Sequence, residues 1–341
     1  MNKLKLVILI ILRIVKLGLL SYLPVKNDIY ISAWYCGLAN NIIQLVQAEY
    51  LSKRFGFTLH VPPHNFLKVE EKYPLHDIKP KMQRSSFPTV FGDLLEQPNT
   101  SVGSTFGLFR RMLFRFDSLP FSPDLADYRQ VLRQELFPII PRRADDLIKD
   151  DTLVIHMRSG DVFGEVRSFT KGYIQPPLSF YLEIINKFSF KDIVIVTQND
   201  FQNPCINEMK RLLPDIRIQA SDLLDDISTI MSARNLVTAH STFSLCLGPA
   251  SDKLKRMFIP QFDITNRYYY TRAAFLPTGS RCFVSKASTS HFRNLDCDVR
   301  LVKILDYVPI GAWQNSPQQR NLMLAHSRDL INFRWVNESQ P

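Results

Sequence analysis

Residues 152–161 read TLVIHMRSGD. A β-branched, apolar run from Thr152 to Ile155 predicts a buried strand, and it gives way to His156, Arg158 and Asp161 where that strand would open into a loop. In an open parallel sheet ligands bind in the crevice beyond the carboxyl ends of the strands, so side chains at a strand tip point into it. Arg158 offers a planar fork of donors that suits a phosphate, and Asp161 could orient that fork or face a substrate hydroxyl. His156 stands two residues earlier, on the same face of the strand as Arg158. Taken alone, these residues also fit a strand-end Arg–Asp ion pair beside a packed histidine.

Downstream, residues 225–244 read DDISTIMSARNLVTAHSTFS. This is an acidic helix start, a short strand at Asn235–Ala239, and a hydroxyl-rich turn ahead of another helix. His240, Ser241, Thr242 and Ser244 therefore lie where backbone amides and hydroxyls can meet an anion at a helix N-terminus. An ordinary Ser/Thr cap is the alternative. Paired with Arg158, the turn points to diphosphate binding.

From Thr152 onward strand and helix alternate. Strands are expected at 152–158, 192–197, 215–219, 235–239 and 255–259, with helices at 178–188, 204–213, 222–233 and 243–250. Such alternation means a parallel, doubly wound sheet. Nearer the start, Asp28–Trp34 reads as a strand, Gly37 as its exit turn, Leu38–Phe55 as a helix and Thr58–Val61 as a second strand, a βαβ opening. Asn40, Asn41 and Gln44 fall on the first turns of that helix, where they could hydrogen-bond a sugar or cap the helix. A helix is expected near Asp124–Leu136 and a linker near Pro138–Asp150. With 341 residues, more than one core is expected. The predicted division is an apolar segment at 1–24, an acceptor-side domain at 25–150, and a donor domain at 151–341 with a return helix at 318–333. The expected fold class is α/β and GT-B-like, two Rossmann-like domains facing a cleft.

His156-Met-Arg158-Ser-Gly-Asp161 and the Asp226 to Ser244 segment together resemble the donor-binding half of the GDP-fucose-dependent fucosyltransferases, the α1,2-, α1,6- and protein O-fucosyltransferase superfamily. Cys36-Gly-Leu-Ala-Asn-Asn-Ile-Ile-Gln is similar to the glycine-rich motif near the start of the α1,2-type domain. This resemblance implies that Arg158 binds the donor diphosphate, that His156 and Asp226 help to read the guanine, and that the Thr242 to Ser244 turn, which follows Ser241, touches phosphate. It places Gly37, Asn40, Asn41 and Gln44 on the acceptor side. A glutamate at nearly the spacing of Glu165 follows the motif in α1,6-type relatives, which implies Glu165 as the base and Asp161 as its orienting partner. Ala39 and Leu245-Cys246 depart from the family pattern. The implied activity is transfer of fucose from GDP-fucose, with inversion, to a hydroxyl of a glycan or glycoconjugate, with no metal and no cofactor beyond the GDP-sugar donor. The alternatives are another nucleotide-sugar, or a non-catalytic glycan-binding protein of transferase-like fold.

Other classes lack their residues. There is no Arg-His-Gly phosphatase motif, no G-x-S-x-G elbow and no G-x-G-x-x-G dinucleotide fingerprint. A hydrophobic content of 45% with 22% charged residues is globular. The formal charge of +10 suits an anionic partner, but the basic residues are scattered, and a nucleotide-sugar fits better than nucleic acid. Leu4 to Leu23 is apolar yet interrupted by Arg13 and Lys16, so a membrane surface is an expected partner, through a short anchor or an interfacial helix. A Golgi or other secretory location is expected, or alternatively the cytoplasmic face of a membrane. Five cysteines show no metal-ligand spacing. Cys282 and Cys297 could close a loop in an oxidising lumen or remain thiols.

Overall fold

The structure is a computed structural model that describes residues 28–31, 34, 37–56, 58–75, 125–143, 148–164, 174–262, 297–304, 307, 315–325 and 333–336. The chain divides into two compact units, Met1–Pro141 with Pro277–Ser280, and Arg142–Leu276 with Arg281–Pro341.

The first unit holds a βαβ element. Strand β1 (Asp28–Tyr30) leads into helix α1 (Leu38–Phe55), which returns to β2 (Thr58–His60). The two strands are parallel, with Asp28 opposite Thr58 and Tyr30 opposite His60. Ile42, Leu45, Val46 and Ala48 bury the inner face of α1 completely. The helix stops at Gly56, whose φ of 67° is left-handed and whose N–H returns to Ser52 O. Only glycine adopts that conformation without a steric penalty. Further along, α2 (Leu125–Val131) runs into a π-helical turn, Leu132–Leu136, and then a 3-10 turn, Phe137–Ile139.

The second unit is a doubly wound sheet. Its elements run β3 (Thr152–His156), α3 (Leu178–Lys187), β4 (Asp192–Val196), α4 (Pro204–Leu212), β5 (Arg217–Gln219), α5 (Leu223–Ser232), β6 (Asn235–Val237), α6 (Thr242–Leu247), β7 (Arg256–Phe262), β8 (Asp298–Ile304), α7 (Pro317–Ala325) and β9 (Phe333–Val336). The strand order is β5-β4-β3-β6-β7-β8-β9. All neighbours pair in parallel except β8 with β9, which is antiparallel. Every residue of β3 is buried. A central strand covered on both faces has no solvent side, so it reads as a continuous apolar run and not as an alternation. Helix α3 lays Leu178, Phe180, Tyr181 and Ile184 into the core below it. Each such side chain contributes roughly 1.5–3 kcal/mol through burial.

The α/β class and the parallel, doubly wound sheet are those expected from the sequence. Toward the C-terminus, α7 coincides with the first part of the helix expected over 318–333 and packs on α3 and α4; residues 326–332 lie outside the described residues. Residues 333–336 then form an edge strand. Helix α7 is held by Met323, which is fully buried and whose carbonyl lies 3.9 Å from the Cys205 thiol. Such anchoring comes from tertiary packing, and no short-range pattern encodes it. Strand β8 carried no expectation. No helix among the described residues is long and apolar enough to cross a membrane; the apolar segment 1–24 and Cys282 lie outside the described residues.

Candidate functional site at the strand switch point

The chain leaves β3 toward β4 on one side of the sheet and leaves β6 toward β7 on the other. Between those two strands the winding reverses, and ligands of doubly wound sheets bind in the crevice that this reversal opens. Ile155 lies opposite Val237, so the two strands end level. The residues that follow them, 156–161 and 238–244, leave the sheet side by side.

Arg158 spans the gap. Its Nη1 donates to Ser241 Oγ at 3.2 Å and its Nη2 to Asp161 Oδ1 at 2.8 Å. The Arg158 side chain is 21% exposed and that of Asp161 is 70% exposed. So exposed an ion pair contributes roughly 0–1 kcal/mol at most, and its effect is to aim the guanidinium. Ser241 Oγ also accepts from Phe243 N–H at 3.3 Å. With two donors arriving at that oxygen, the hydroxyl proton is left to donate. Helix α6 has only six residues, so the hydroxyl and guanidinium groups, not a helix dipole, define this place chemically.

Gly160 shapes the loop that presents Arg158. Its φ is +69°, and a Cβ there would lie 2.4 Å from Gln198 Nε2. The glycine of the H-x-R-x-G-D pattern is therefore favoured by the left-handed turn, and a Cβ there would also displace the end of the Gln198 side chain.

His156 lies behind the arginine, buried, with Nδ1 2.8 Å from Ser244 Oγ and its ring 5.5 Å from that of Phe243. Ser244 Oγ accepts in turn from Ala239 N–H at 3.3 Å. Burial, reinforced by the nearby charge of Arg158, pushes the His156 pKa from 6.5 down to about 3. The ring is thus neutral at physiological pH, and among the described residues its Nε2 has no hydrogen-bond partner. A neutral imidazole nitrogen of this kind can exchange a hydrogen bond with a heterocycle or a phosphate ester without adding charge.

Asp226 sits in the first turn of α5, which packs beside β3 and α6. Its Oδ1 accepts from Gln219 Nε2 at 3.1 Å, and Gln219 Oε1 accepts from Thr229 Oγ1 at 2.9 Å. Burial raises its pKa from 3.8 to about 6, with the Gln219 hydrogen bond opposing and Asp225 and Asp222 adding to the rise. A partly buried carboxylate that already holds one amide donor is suited to a ligand bearing further N–H groups.

The structure thus joins His156, Arg158, Asp161, Ser241 and Ser244 into one neighbourhood, with Thr242 next in the chain. Asp226 forms a separate group with Gln219 and Thr229, and no hydrogen bond among the described residues links it to Arg158. Gln219 and Thr229 escaped the sequence reading, although Thr229 lies at i+3 from Asp226 on one helix face, a detectable signal. His240 makes a contact of another kind: its Nδ1–H donates to Ile174 O at 2.6 Å, and its own carbonyl accepts from Gln175 Nε2 at 3.3 Å. Glu165 lies outside the described residues.

In the first unit, Gly37 is exposed and precedes α1, and its carbonyl accepts the N–H groups of Asn40 and Asn41. Asn41 and Gln44 are buried, while Asn40 is half-buried. The Asn41 side-chain carbonyl lies 3.1 Å from His64 Nε2, and His64 Nδ1 accepts from the N–H groups of Phe66 and Leu67. With Nδ1 an acceptor twice over, the proton resides on Nε2 and is donated to Asn41. Asn41 therefore fastens the 64–67 turn to α1.

No protein-family model matches the sequence, and no curated protein is similar to it. Among solved structures, the chain is similar to POFUT1 in complex with GDP, at 14% identity and a TM-score of 0.36, over 67% of this chain and 97% of that one. It is likewise similar to POFUT1 in complex with GDP-fucose, at 13% identity and a TM-score of 0.35, over 68% of this chain and 98% of that one. At these values neither likeness assigns a ligand or an activity.

Proposed function

We propose that the protein is a glycosyltransferase that binds a nucleoside-diphosphate sugar, GDP-fucose by the motifs it carries, and transfers the sugar with inversion to a hydroxyl of a glycan or glycoconjugate. The supporting observation is the meeting of Arg158 with Ser241 across the switch point. A strand-end ion pair would explain Arg158 with Asp161, but it would not need a second arm reaching a buried hydroxyl on the neighbouring loop.

In this reading the acceptor oxygen attacks the anomeric carbon as the bond from that carbon to the diphosphate breaks. The bonding electrons depart with the diphosphate, and the charge that gathers there is met by Arg158 and the Ser241 hydroxyl. Fixed donors of this sort stabilise a developing anion without reorganisation, and the step needs no metal. His156 and Asp226 would help to read the guanine, as the motif resemblance implies. The acceptor proton passes to a carboxylate on the loop after the strand, Glu165 or Asp161. The direct test is release of GDP from GDP-fucose in the presence of glycan acceptors. Release that is lost in Arg158→Ala, in a protein that melts normally, supports the transfer; binding of GDP-fucose with no release under any acceptor would favour a non-catalytic glycan-binding protein.

A further inference from the structure

The last ladder contact of β3 on the β4 side is Met157 N–H to Val196 O at 3.0 Å. Beyond it, the three residues that carry the guanidinium no longer have a strand beside them, and buried backbone groups need other partners. Side chains from the loop after β4 supply them. Asn203 Nδ2 donates to Arg158 O at 3.0 Å, Gln198 Oε1 accepts from Ser159 N–H at 3.1 Å, and Asp200 Oδ1 accepts from Gly160 N–H at 3.2 Å. Ser159, itself fully buried, ties the set together: its hydroxyl donates to Asp200 Oδ1 at 2.5 Å and accepts from Asn203 N–H at 3.1 Å.

Within this set Asn203 is distinct, because it is fully buried and serves two elements at once. Its Oδ1 accepts from Cys205 N–H at 3.0 Å and so caps α4, while its Nδ2 clasps the carbonyl of Arg158. We infer that Asn203 is a positioning residue for the anion-binding arginine, and that it fixes the Arg158 backbone to the rigid start of α4. The inference rests on the reading that Arg158 binds the donor diphosphate. Gln198 and Asp200 are exposed and hold the loop from its outer side, whereas Asn203 holds it from the core.

Asn203→Ser separates the two tasks. Serine ranks with asparagine as a helix cap, but its side chain ends one bond short of Nδ2, so a hydroxyl that caps α4 does not also reach the Arg158 carbonyl. Asn203→Asp, also a good cap, serves as the second variant should the first not fold. The measurement is GDP affinity by calorimetry on the full chain, in a cycle with Arg158→Ala. A roughly tenfold loss of affinity is expected for the Asn203 variant in the wild-type background, and no further loss is expected where Arg158 is already alanine. A folded Asn203 variant that binds GDP like wild type overturns the inference, as does an equal loss in both backgrounds, which would mean that Asn203 acts on the fold in general. If wild type binds GDP and Arg158→Ala weakens it, failure of the cycle counts against Asn203 alone. If folded wild type binds no GDP, the donor reading falls and the positioning role falls with it.

Discussion

Arg158 and Ser241 stand 83 positions apart in the chain, yet their side chains meet at 3.2 Å where the direction of the sheet's winding reverses. Neither residue is unusual by itself. Their encounter follows from topology, since β3 and β6 become neighbours only because the chain first builds β4 and β5 on the far side and then crosses back through α5.

Replacing Arg158 by lysine retains the charge but removes the fork. One ammonium cannot keep both Ser241 and Asp161 while also presenting parallel donors to phosphate oxygens. The expected result is a fall in turnover of about two to three decades, with a melting temperature close to that of wild type. Steady-state GDP release and a thermal melt check it together. A folded variant with near-native turnover would remove Arg158 from the diphosphate.

Gly160→Ala imposes a side chain on a left-handed residue whose Cβ would strike the Gln198 amide. The conformational part of the cost is about 1–2 kcal/mol, and it persists when Gln198 is shortened. Gly160→Ala is therefore expected to melt several degrees lower than wild type, and to remain destabilising, by less, when introduced into Gln198→Ala, which by itself loses the acceptor of Ser159 N–H. No loss on adding Gly160→Ala to Gln198→Ala would show that φ at this position is not a constraint.

The raised pKa of Asp226, about 6, has a consequence for stability and another for binding. Because the folded value lies above the ordinary 3.8, ionisation is disfavoured in the folded protein, and stability is lost as pH rises from about 4 through 6. Asp226→Asn should therefore gain in melting temperature relative to wild type at pH 7 more than at pH 4. A ligand that donates N–H groups to the carboxylate should bind wild type more tightly as pH rises through that range. Titrating GDP at pH 5 and pH 7 is the check, and an Asp226→Asn protein that keeps the wild-type pH dependence would exclude Asp226 from the base contact.

For the proton of the acceptor, Glu165→Gln and Asp161→Asn are expected to differ. Loss of the base should leave donor affinity unchanged and collapse turnover, whereas loss of the orienting carboxylate should weaken donor binding, because Asp161 holds Nη2 of Arg158. Calorimetry with GDP beside single-turnover rates distinguishes them. Near-native turnover in both variants would leave deprotonation to water or to another group.

The sequence was most legible where local chemistry marks an element's ends. Helix α1 runs from Leu38 to Phe55 as expected, because Gly37 precedes it and Gly56 supplies a left-handed stop. Strands β3 and β6 were expected to continue two residues further than they do. Residues 157–158 and 238–239 still look like strand, but they are where the chain turns away to build the site. His156, Arg158, Ser241 and Ser244 were legible as candidates, since strand-tip position can be read from the pattern of apolar runs. The clasp of Asn203 on Arg158 was not, because its partners come from different loops and depend on the register of β3 with β4. The edge strand β9 was missed for a similar reason: it is defined by pairing with β8 and not by a pattern of its own.

Binding of the diphosphate and base of a GDP-linked sugar in the crevice between β3 and β6 is decided by calorimetry of a panel of nucleotides against the 341-residue chain. GDP and GDP-fucose should bind with an affinity that depends on Arg158 and on Asp226, and UDP-sugars should bind far more weakly. Tight binding of a UDP-sugar with none of GDP would contradict it.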